Sequence, residues 1–291
     1  MSTLSVIVSV HNRKDYLSHA IGTWFSKPCL PDEIIVIDDR STDDLFGTVN
    51  IFCEQHPEWK HIFRYVKVKD EGQGWRNPGI CHNFGVKACR HPYYVILDPE
   101  TMFVNDCIAN TKFHLEHHSQ AFVNAGLHYE TNFRYYNDFN PFDIQYVTQK
   151  AKTSIGWPAN AEDWTEGWEI CRLDNSYSHA YAAGRKANYI ALGGKDESMV
   201  GWGWEDVDIR NRMVRNGFTH ETTDFIAIVH VGHGLLRKST AWGFSEDRPE
   251  ADAGVLVNKQ ILDENDAIGL KIANEGKEWG ILPIERAYSW D

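Results

Sequence analysis

The stretch Leu4-Ser5-Val6-Ile7-Val8-Ser9-Val10, running into His11-Asn12-Arg13, decides the fold. It is short, rich in β-branched side chains and stopped by polar residues, the pattern of a strand buried on both faces of a parallel sheet. Helical spacing follows at Tyr16, Leu17, Ala20, Ile21, Trp24 and Phe25, up to Pro28. A second strand, Glu33 to Ile37, ends in the acidic turn Asp38-Asp39-Arg40-Ser41-Thr42-Asp43-Asp44, and a helix is predicted from Leu45 to Cys53. Phe63 to Val68 reads as a third strand, Gly72 to Gly79 as a loop, Ile80 to Cys89 as a helix and Tyr93 to Leu97 as a fourth strand. Strand and helix alternating in this way predict right-handed βαβ units, hence an α/β fold with a mostly parallel central sheet flanked by helices.

Beyond Asp106 the alternation loosens. Residues 129–170, rich in aromatics, Asn and acids without a clean period, read as long ordered loops. A strand is expected at Ala187 to Leu192, a helix at Glu205 to Asn216 and a strand at Phe225 to Val231. No repeat or low-complexity linker divides the chain. Residues 238–291 read as a C-terminal extension that either closes over a site or supports oligomerisation, and the oligomeric state is not legible.

Composition narrows the function. With 29 Lys+Arg against 41 Asp+Glu, the net charge of −12 disfavours nucleic acid as a partner, since such surfaces need clustered cations. A hydrophobic share of 42% and a charged share of 24% are those of an ordinary globular protein. The six cysteines contain no C-x-x-C pair and so outline neither a zinc site nor a disulfide framework. Met1-Ser2-Thr3 leads into Leu4 without a basic leader, and no apolar run nears the roughly 18 residues of a membrane span. A cytoplasmic location, free or peripheral to a membrane, is the expectation. The anomaly is aromatic: 11 Trp, 12 Tyr and 14 Phe.

In an open parallel sheet, ligands bind beyond the carboxyl ends of the strands. Three strands here end in polar groups: His11-Asn12, Asp38-Asp39 and Asp98-Pro99-Glu100. The carboxylates of Asp98 and Glu100, two residues apart in an extended turn, can face one hard cation such as Mg²⁺ or Mn²⁺, which prefers oxygen ligands and shares its shell with substrate phosphates. In Gly201-Trp202-Gly203-Trp204-Glu205-Asp206, the glycines permit close backbone approach and the two acids open a helix whose dipole favours their ionised form. His230-Val231-Gly232-His233 ends a strand with two imidazoles, either of which could bind metal.

In this order the motifs resemble those of the GT-A glycosyltransferases, in particular the inverting family 2 enzymes. Ser5 to Asn12 resembles the family's opening strand, and Ile35-Val36-Ile37-Asp38-Asp39-Arg40-Ser41-Thr42-Asp43 its V-D-D-G-S-x-D segment for base and ribose. His82-Asn83-Phe84-Gly85 is similar to an R-N-x-G helix, and Asp98-Pro99-Glu100 to the following L-D-x-D metal and diphosphate motif. Gly193-Gly194-Lys195-Asp196-Glu197 and Gly201 to Asp206 resemble G-G-F-D-E and G-W-G-x-E-D of galactosyltransferase-type enzymes. Three positions depart from the pattern: Arg40 stands for the usual glycine, His82 for the usual arginine and Glu100 for the commoner aspartate.

The resemblance implies a GT-A catalytic domain over residues 1–237, with a nucleotide-sugar half to about 105 and an acceptor half from about 106. It implies a donor site of Ser9, His11, Asn12, Asp38, Asp39, Arg76, Asn83 and Asp98. A Mn²⁺ or Mg²⁺ ion falls to Asp98, Glu100 and His233, with His230 as the alternative. Asp206 is the implied catalytic base and Glu205 a catalytic partner that binds sugar. Trp202, Gly203 and Trp204 are the implied acceptor or sugar contacts, in a region holding six of the 11 tryptophans, Trp157, Trp164, Trp168, Trp202, Trp204 and Trp242. The implied reaction moves a sugar from a nucleotide donor, a UDP-sugar by resemblance, to a glycan or other hydroxyl acceptor with inversion. A nucleotidyltransferase and a catalytically inactive carbohydrate-binding protein are the competing readings; a dehydrogenase lacks its G-x-G-x-x-G after the first strand.

Overall fold

The computed structural model describes residues 2–72, 77–131, 170–173, 180–201, 203–231 and 249–290. The opening stretch forms β1 (Leu4–Val10), followed by α1 (Lys14–Phe25), β2 (Glu33–Asp38), α2 (Leu45–Gln55), β3 (Phe63–Val68), α3 (Pro78–Ala88) and β4 (Tyr93–Leu97). These four strands lie in the order β3-β2-β1-β4, all parallel, with Val10 beside Asp38 and Val8 beside Leu97. The register therefore brings the three polar strand ends to one rim.

Burial on both faces explains the unbroken apolar runs. Alternate residues of a strand point to opposite faces. Leu4, Val6, Val8 and Val10 pack with Leu17, Ile21 and Trp24 of α1 and Val49 of α2. Ile7, Ile35 and Ile37 pack on the other face with Val86 of α3.

The second half continues through β5 (Thr101–Phe103), α4 (Cys107–His117), β6 (Ala121–Thr131), β7 (Ile170–Leu173), β8 (Tyr181–Arg185), α5 (Lys186–Ala191), α6 (Glu205–Arg215), β9 (Thr219–His230), α7 (Pro249–Ala267) and β10 (Ile284–Ser289). The sheet runs β10-β3-β2-β1-β4-β8-β6-β9-β5, with β7 on β6. It is mixed, because β8 and β10 lie antiparallel to β4 and β3, and β5 lies antiparallel to β9.

The strand expected at Ala187 to Leu192 is a correction: residues 186–191 form α5, and the neighbouring Tyr181–Arg185 is the strand. Burial of Tyr189 beside an exposed Ile190 fits a one-sided helix rather than a doubly covered strand. In β8, a side chain at Gly184 would meet Phe122 Cδ1 and the Tyr94 hydroxyl at 3.0 Å, tighter than ordinary contact, which favours glycine there despite its low β propensity.

The last part of the chain joins the same sheet. β10 extends the edge at β3, and the Trp290 indole donates to Asn50 Oδ1 at 2.9 Å. Most of the aromatic-rich 129–170 stretch, together with Arg76, Trp202, His233, Trp157, Trp164, Trp168 and Trp242, lies outside the described residues. Among the described residues, no helix is long and apolar enough to cross a membrane.

Candidate active site

The rim is assembled by short polar ties between its loops. Asn12 adopts the left-handed region at φ 53°, and its Oδ1 accepts from the Thr42 amide at 2.7 Å and the Asp43 amide at 3.3 Å. His11 Nδ1 lies 2.7 Å from the Asp39 carbonyl, joining the β1 and β2 loops. Asp38 is buried; it accepts from the Ser41 amide at 2.7 Å and from the Tyr65 hydroxyl. Arg40, where the resemblance expects glycine, holds the left-handed backbone that glycine would supply, φ 62°, and turns its Nε 3.0 Å from Asp39 Oδ1. Ser9 lies one residue before the strand ends, so Ser9, His11, Asn12, Asp38 and Asp39 share this rim.

Asp98-Pro99-Glu100-Thr101 is a turn closed by the Thr101 amide on the Asp98 carbonyl at 3.0 Å, with Pro99 at the position proline favours. Directly after it, Thr101 of β5 pairs with His230 of β9. That register sets His230 Nε2 3.9 Å from Asp98 Oδ2. Glu100 is buried and receives Arg13 Nε at 2.9 Å. Burial, reinforced by the charges of Glu100 and Asp206, pushes the Asp98 carboxyl up to about 7, against the pull of His230 and Lys195. Its side chain remains 41% exposed, so water tempers that shift and leaves the oxygens accessible to a ligand.

Glu205 and Asp206 open α6, as their spacing predicts. The approach is backbone in the left-handed region: Gly201 at φ 64°, Gly203 at 102° and Trp204 at 70°. For an aromatic residue that conformation is a genuine outlier, of the kind that persists only where surroundings enforce it. The enforcement is visible in α7. Buried Asn258 bridges the Val200 amide at 2.7 Å, the Val200 carbonyl at 2.8 Å and the Gly203 carbonyl at 2.8 Å. The Lys259 ammonium lies 5.5 Å from the half-buried Trp204 ring.

Behind these acids sits a residue that the motifs did not single out as functional. Lys195 is only 4% exposed, with Nζ 2.5 Å from Asp206 Oδ1 and 3.0 Å from His82 Nδ1. Burial pulls its ammonium down, but the charges of Asp206 and Glu205 outweigh this and hold it protonated. His82, fully enclosed, is driven well below the usual imidazole range by burial and by Lys195, so it is the neutral acceptor of that ammonium. Burial, then the charge of Asp206, pushes Glu205 up to about 7. Its Oε2 has no hydrogen-bond partner among the described residues.

The loop carrying Lys195 is locked from several sides. Arg212 of α6, wholly buried, pairs with Asp208 at 2.7 Å and donates to the carbonyls of Leu192 at 2.7 Å and Gly194 at 2.8 Å. Asn83 is also wholly internal: its amide donates to the Lys195 carbonyl and Glu197 Oε1, both at 2.9 Å, and accepts from Tyr189 at 2.7 Å and the Lys195 amide at 2.8 Å. All four hydrogen-bonding capacities of that side chain are thus used to hold the loop. Asn83 therefore acts on the site through Lys195. The structure brings together Asp98, Glu100, His230, Glu205 and Asp206, and adds Arg13, Lys195, Arg212 and Asn258, none of which had a functional signal in the sequence.

Residues 5–161, more than half of the 291-residue chain, match the family described as Glycosyl transferase family 2, and residues 167–234 match the N-terminal domain of galactosyltransferase. Curated relatives include uncharacterized glycosyltransferases of Rickettsia felis, 34% identical over 105 residues, and Haemophilus influenzae, 27% identical over 119 residues. These matches span 36% and 40% of this chain, and 16% and 44% of the relatives. GalNAc-T7 with UDP, GalNAc and Mn²⁺ superimposes with a TM-score of 0.63 at 13% identity, over 91% of this chain and 48% of that one. A mannosyltransferase from Pyrobaculum calidifontis in complex with GDP-Man and Mn²⁺ gives 0.52 at 17% identity, over 83% of this chain and 59% of that one. The solved neighbours share the fold, and the sequence match over residues 5–161 carries the assignment: the chain belongs to glycosyl transferase family 2.

Proposed function

We propose that this protein is a metal-dependent glycosyltransferase that moves a sugar from a nucleoside-diphosphate donor, a UDP-sugar, to a hydroxyl of a glycan acceptor with inversion. The observation that carries this reading is the geometry of the acids that follow the strands: Asp98 Oδ2 stands 3.9 Å from His230 Nε2, and Asp206, opening α6, is held 2.5 Å from the buried Lys195 ammonium. The UDP, GDP-Man and Mn²⁺ in the solved neighbours support the donor and metal classes.

The donor set suits a divalent ion. Two ligands of one ion, bonded at about 2.1–2.2 Å, stand roughly 3–4.4 Å apart; Asp98 Oδ2 and His230 Nε2 are 3.9 Å apart, too far for a hydrogen bond. Asp98 and His230 are the proposed ligands, with Glu100 beside them and His233 the further candidate. Held by these residues, a divalent cation would supply Lewis-acid stabilisation of the negative charge on a departing diphosphate.

The chain's own residues do the rest. Asp206 takes the proton of the attacking acceptor hydroxyl as the new C–O bond forms at the anomeric carbon and the bond to the diphosphate oxygen breaks. Lys195, its Nζ 2.5 Å from Asp206 Oδ1, holds that carboxylate in place. Glu205, titrating near neutrality, hydrogen-bonds a sugar hydroxyl. Trp204, with Trp202 and Gly203, offers the acceptor-side surface, where aromatic rings pack against the C–H faces of sugars. His11, Asn12, Asp38, Asp39 and Arg76 are proposed for the nucleotide.

The test is a panel of nucleotide sugars with and without Mn²⁺, the anomer of the product read by NMR. Transfer should vanish in EDTA and return with Mn²⁺ or Mg²⁺. Asp206→Asn should keep donor binding while turnover falls by about 10²–10⁴-fold, the usual range for a lost general base. Full turnover in Asp206→Asn refutes the base, activity in chelator refutes the metal, and donor binding without any turnover identifies an inactive sugar-binding protein instead.

A further inference from the structure

At the far end of β9 from the candidate active site, the C-terminal turn of α4 meets the start of the strand. His114 lies in the last turn of α4 and His118 is the residue that caps it, and Glu221 of β9 faces both. Glu221 Oε2 lies 2.7 Å from His114 Nε2 and 3.4 Å from His118 Nδ1, so one carboxylate oxygen faces both imidazoles. The three ligand atoms lie within 4.8 Å of one another. The imidazole rings are parallel to within 13°, with centroids 4.4 Å apart.

We propose that His114, His118 and Glu221 form a second metal site, for Zn²⁺ or a metal of similar ligand preference, separate from the catalytic ion. Two imidazoles and one carboxylate suit Zn²⁺, Co²⁺, Ni²⁺ or Cu²⁺ rather than Mg²⁺ or Mn²⁺, which favour all-oxygen shells. Tetrahedral Zn²⁺ with bonds of about 2.0–2.1 Å sets its ligands roughly 3.3–3.4 Å apart. The His118–Glu221 pair already has that spacing, and the His114–Glu221 pair opens by about 0.6 Å as the ion replaces the proton between them. Three protein ligands leave the fourth position to water.

Two further features support a built site. Metal-binding carboxylates are usually oriented by an outer hydrogen bond, and Glu221 Oε1 accepts from the Thr219 hydroxyl at 2.7 Å. His118 is 51% exposed, which gives the ion a route in, whereas His114 and Glu221 are held against the fold. Nine residues of strand at about 3.3 Å each put Glu221 roughly 30 Å from His230, so the two ions do not share ligands. An ion here ties α4 to the strand that carries His230.

The test uses the full-length chain without an affinity tag, stripped with chelator and titrated with ZnCl₂ by calorimetry, and with Cu²⁺ for EPR. The Asp98→Asn variant, impaired at the rim, should still bind one Zn²⁺ per chain, with Cu²⁺ spectra showing two nitrogen ligands. Adding His118→Ala or His114→Ala should abolish that binding, and Thr219→Val should weaken it by about 10–100-fold. His117→Ala should leave it intact, since His117 Nδ1 is turned back to the Phe113 carbonyl at 2.7 Å. Unchanged Zn²⁺ affinity in His118→Ala and His114→Ala overturns the site, as does loss of binding in His117→Ala alone. Neither result bears on transferase activity, so the two proposals fail separately.

Discussion

Replacing Lys195 by Met keeps the apolar stem and removes the ammonium that acts on Asp206, Glu205 and Asp98. The raw attraction at 2.5 Å, taken with an effective dielectric of about 20, is near 7 kcal/mol. Much of that is offset by the cost of burying the charge, and removing one partner of a buried pair typically costs about 3–5 kcal/mol net. Asp206 is 25% exposed and gains water when its partner goes, so the loss should fall near the lower end, about 3 kcal/mol. The kinetic consequence is more diagnostic. Lys195 pulls down both Glu205 and Asp98, which burial and neighbouring acids have pushed up to about 7. An opposite charge at this range moves a carboxyl by about 1–3 units. Without Lys195, Glu205 and Asp98 titrate higher, so carboxylates that the site uses ionised are protonated at neutral pH. The acidic limb of kcat/KM against pH should therefore move up by about 1–2 units, with activity partly recovered near pH 9. The assay is transfer or slow donor hydrolysis between about pH 5.5 and 9.5, on protein shown folded by circular dichroism. A limb that stays in place while activity falls would refute the electrostatic role and leave Lys195 a packing residue.

Two further outcomes follow from the same geometry. Glu205 has a folded-state value near 7 against an ordinary 4.5, so the folded protein binds its proton more tightly than the unfolded chain; this contribution is full below about 4.5 and is lost as pH rises towards 7. In metal-free protein, Glu205→Gln should thus gain on the wild type as pH rises through that window, by up to about 3 kcal/mol, and a constant difference in denaturant unfolding would contradict it. Asn258→Ala removes three buried hydrogen bonds from the loop before α6, at about 1 kcal/mol each; stability should drop by about 2–3 kcal/mol and kcat should fall more than donor affinity, whereas equal losses in both would mean the loop does not position the acids.

The rim at the ends of β1, β2 and β4 was legible because its signals are local. Runs such as Ile34 to Asp38 are too apolar for any surface strand and end in acids, and parallel pairing then forces those ends together. The second half of the fold, from β6 onward, is built from contacts between distant segments, and there local pattern fails. β8 is composed of Tyr, Ala, Ala, Gly and Arg because Tyr94 and Phe122 crowd its centre, so it carries almost no strand signal. The bracing of Val200 and Gly203 depends on Asn258, more than fifty positions away, whose importance rests on its total burial rather than on any motif. His230 and His233 could not be separated by spacing; the pairing of Thr101 with His230 is what brings His230 to Asp98.

The departures from the family pattern make sense when taken together. By resemblance, position 82 carries an arginine and position 195 an aromatic residue; here they are His82 and Lys195, and their side chains touch at 3.0 Å. A histidine alone at position 82 would leave the acids of α6 without a cation, because its burial keeps the ring neutral. The lysine supplies that charge from the opposite side of the contact, and the neutral imidazole is its acceptor. The charge sits on the Gly193-Gly194 loop, and the loop is correspondingly held. A side chain at Gly193 would fall 1.9 Å from the Ala273 carbonyl oxygen, and Arg212 clamps both flanking carbonyls. A buried ammonium needs that rigidity, since a displacement of one ångström would leave it desolvated without a partner. Residues 82, 195 and 212 therefore constrain one another, and substituting the family's arginine at His82 alone would set two cations in a space built for one.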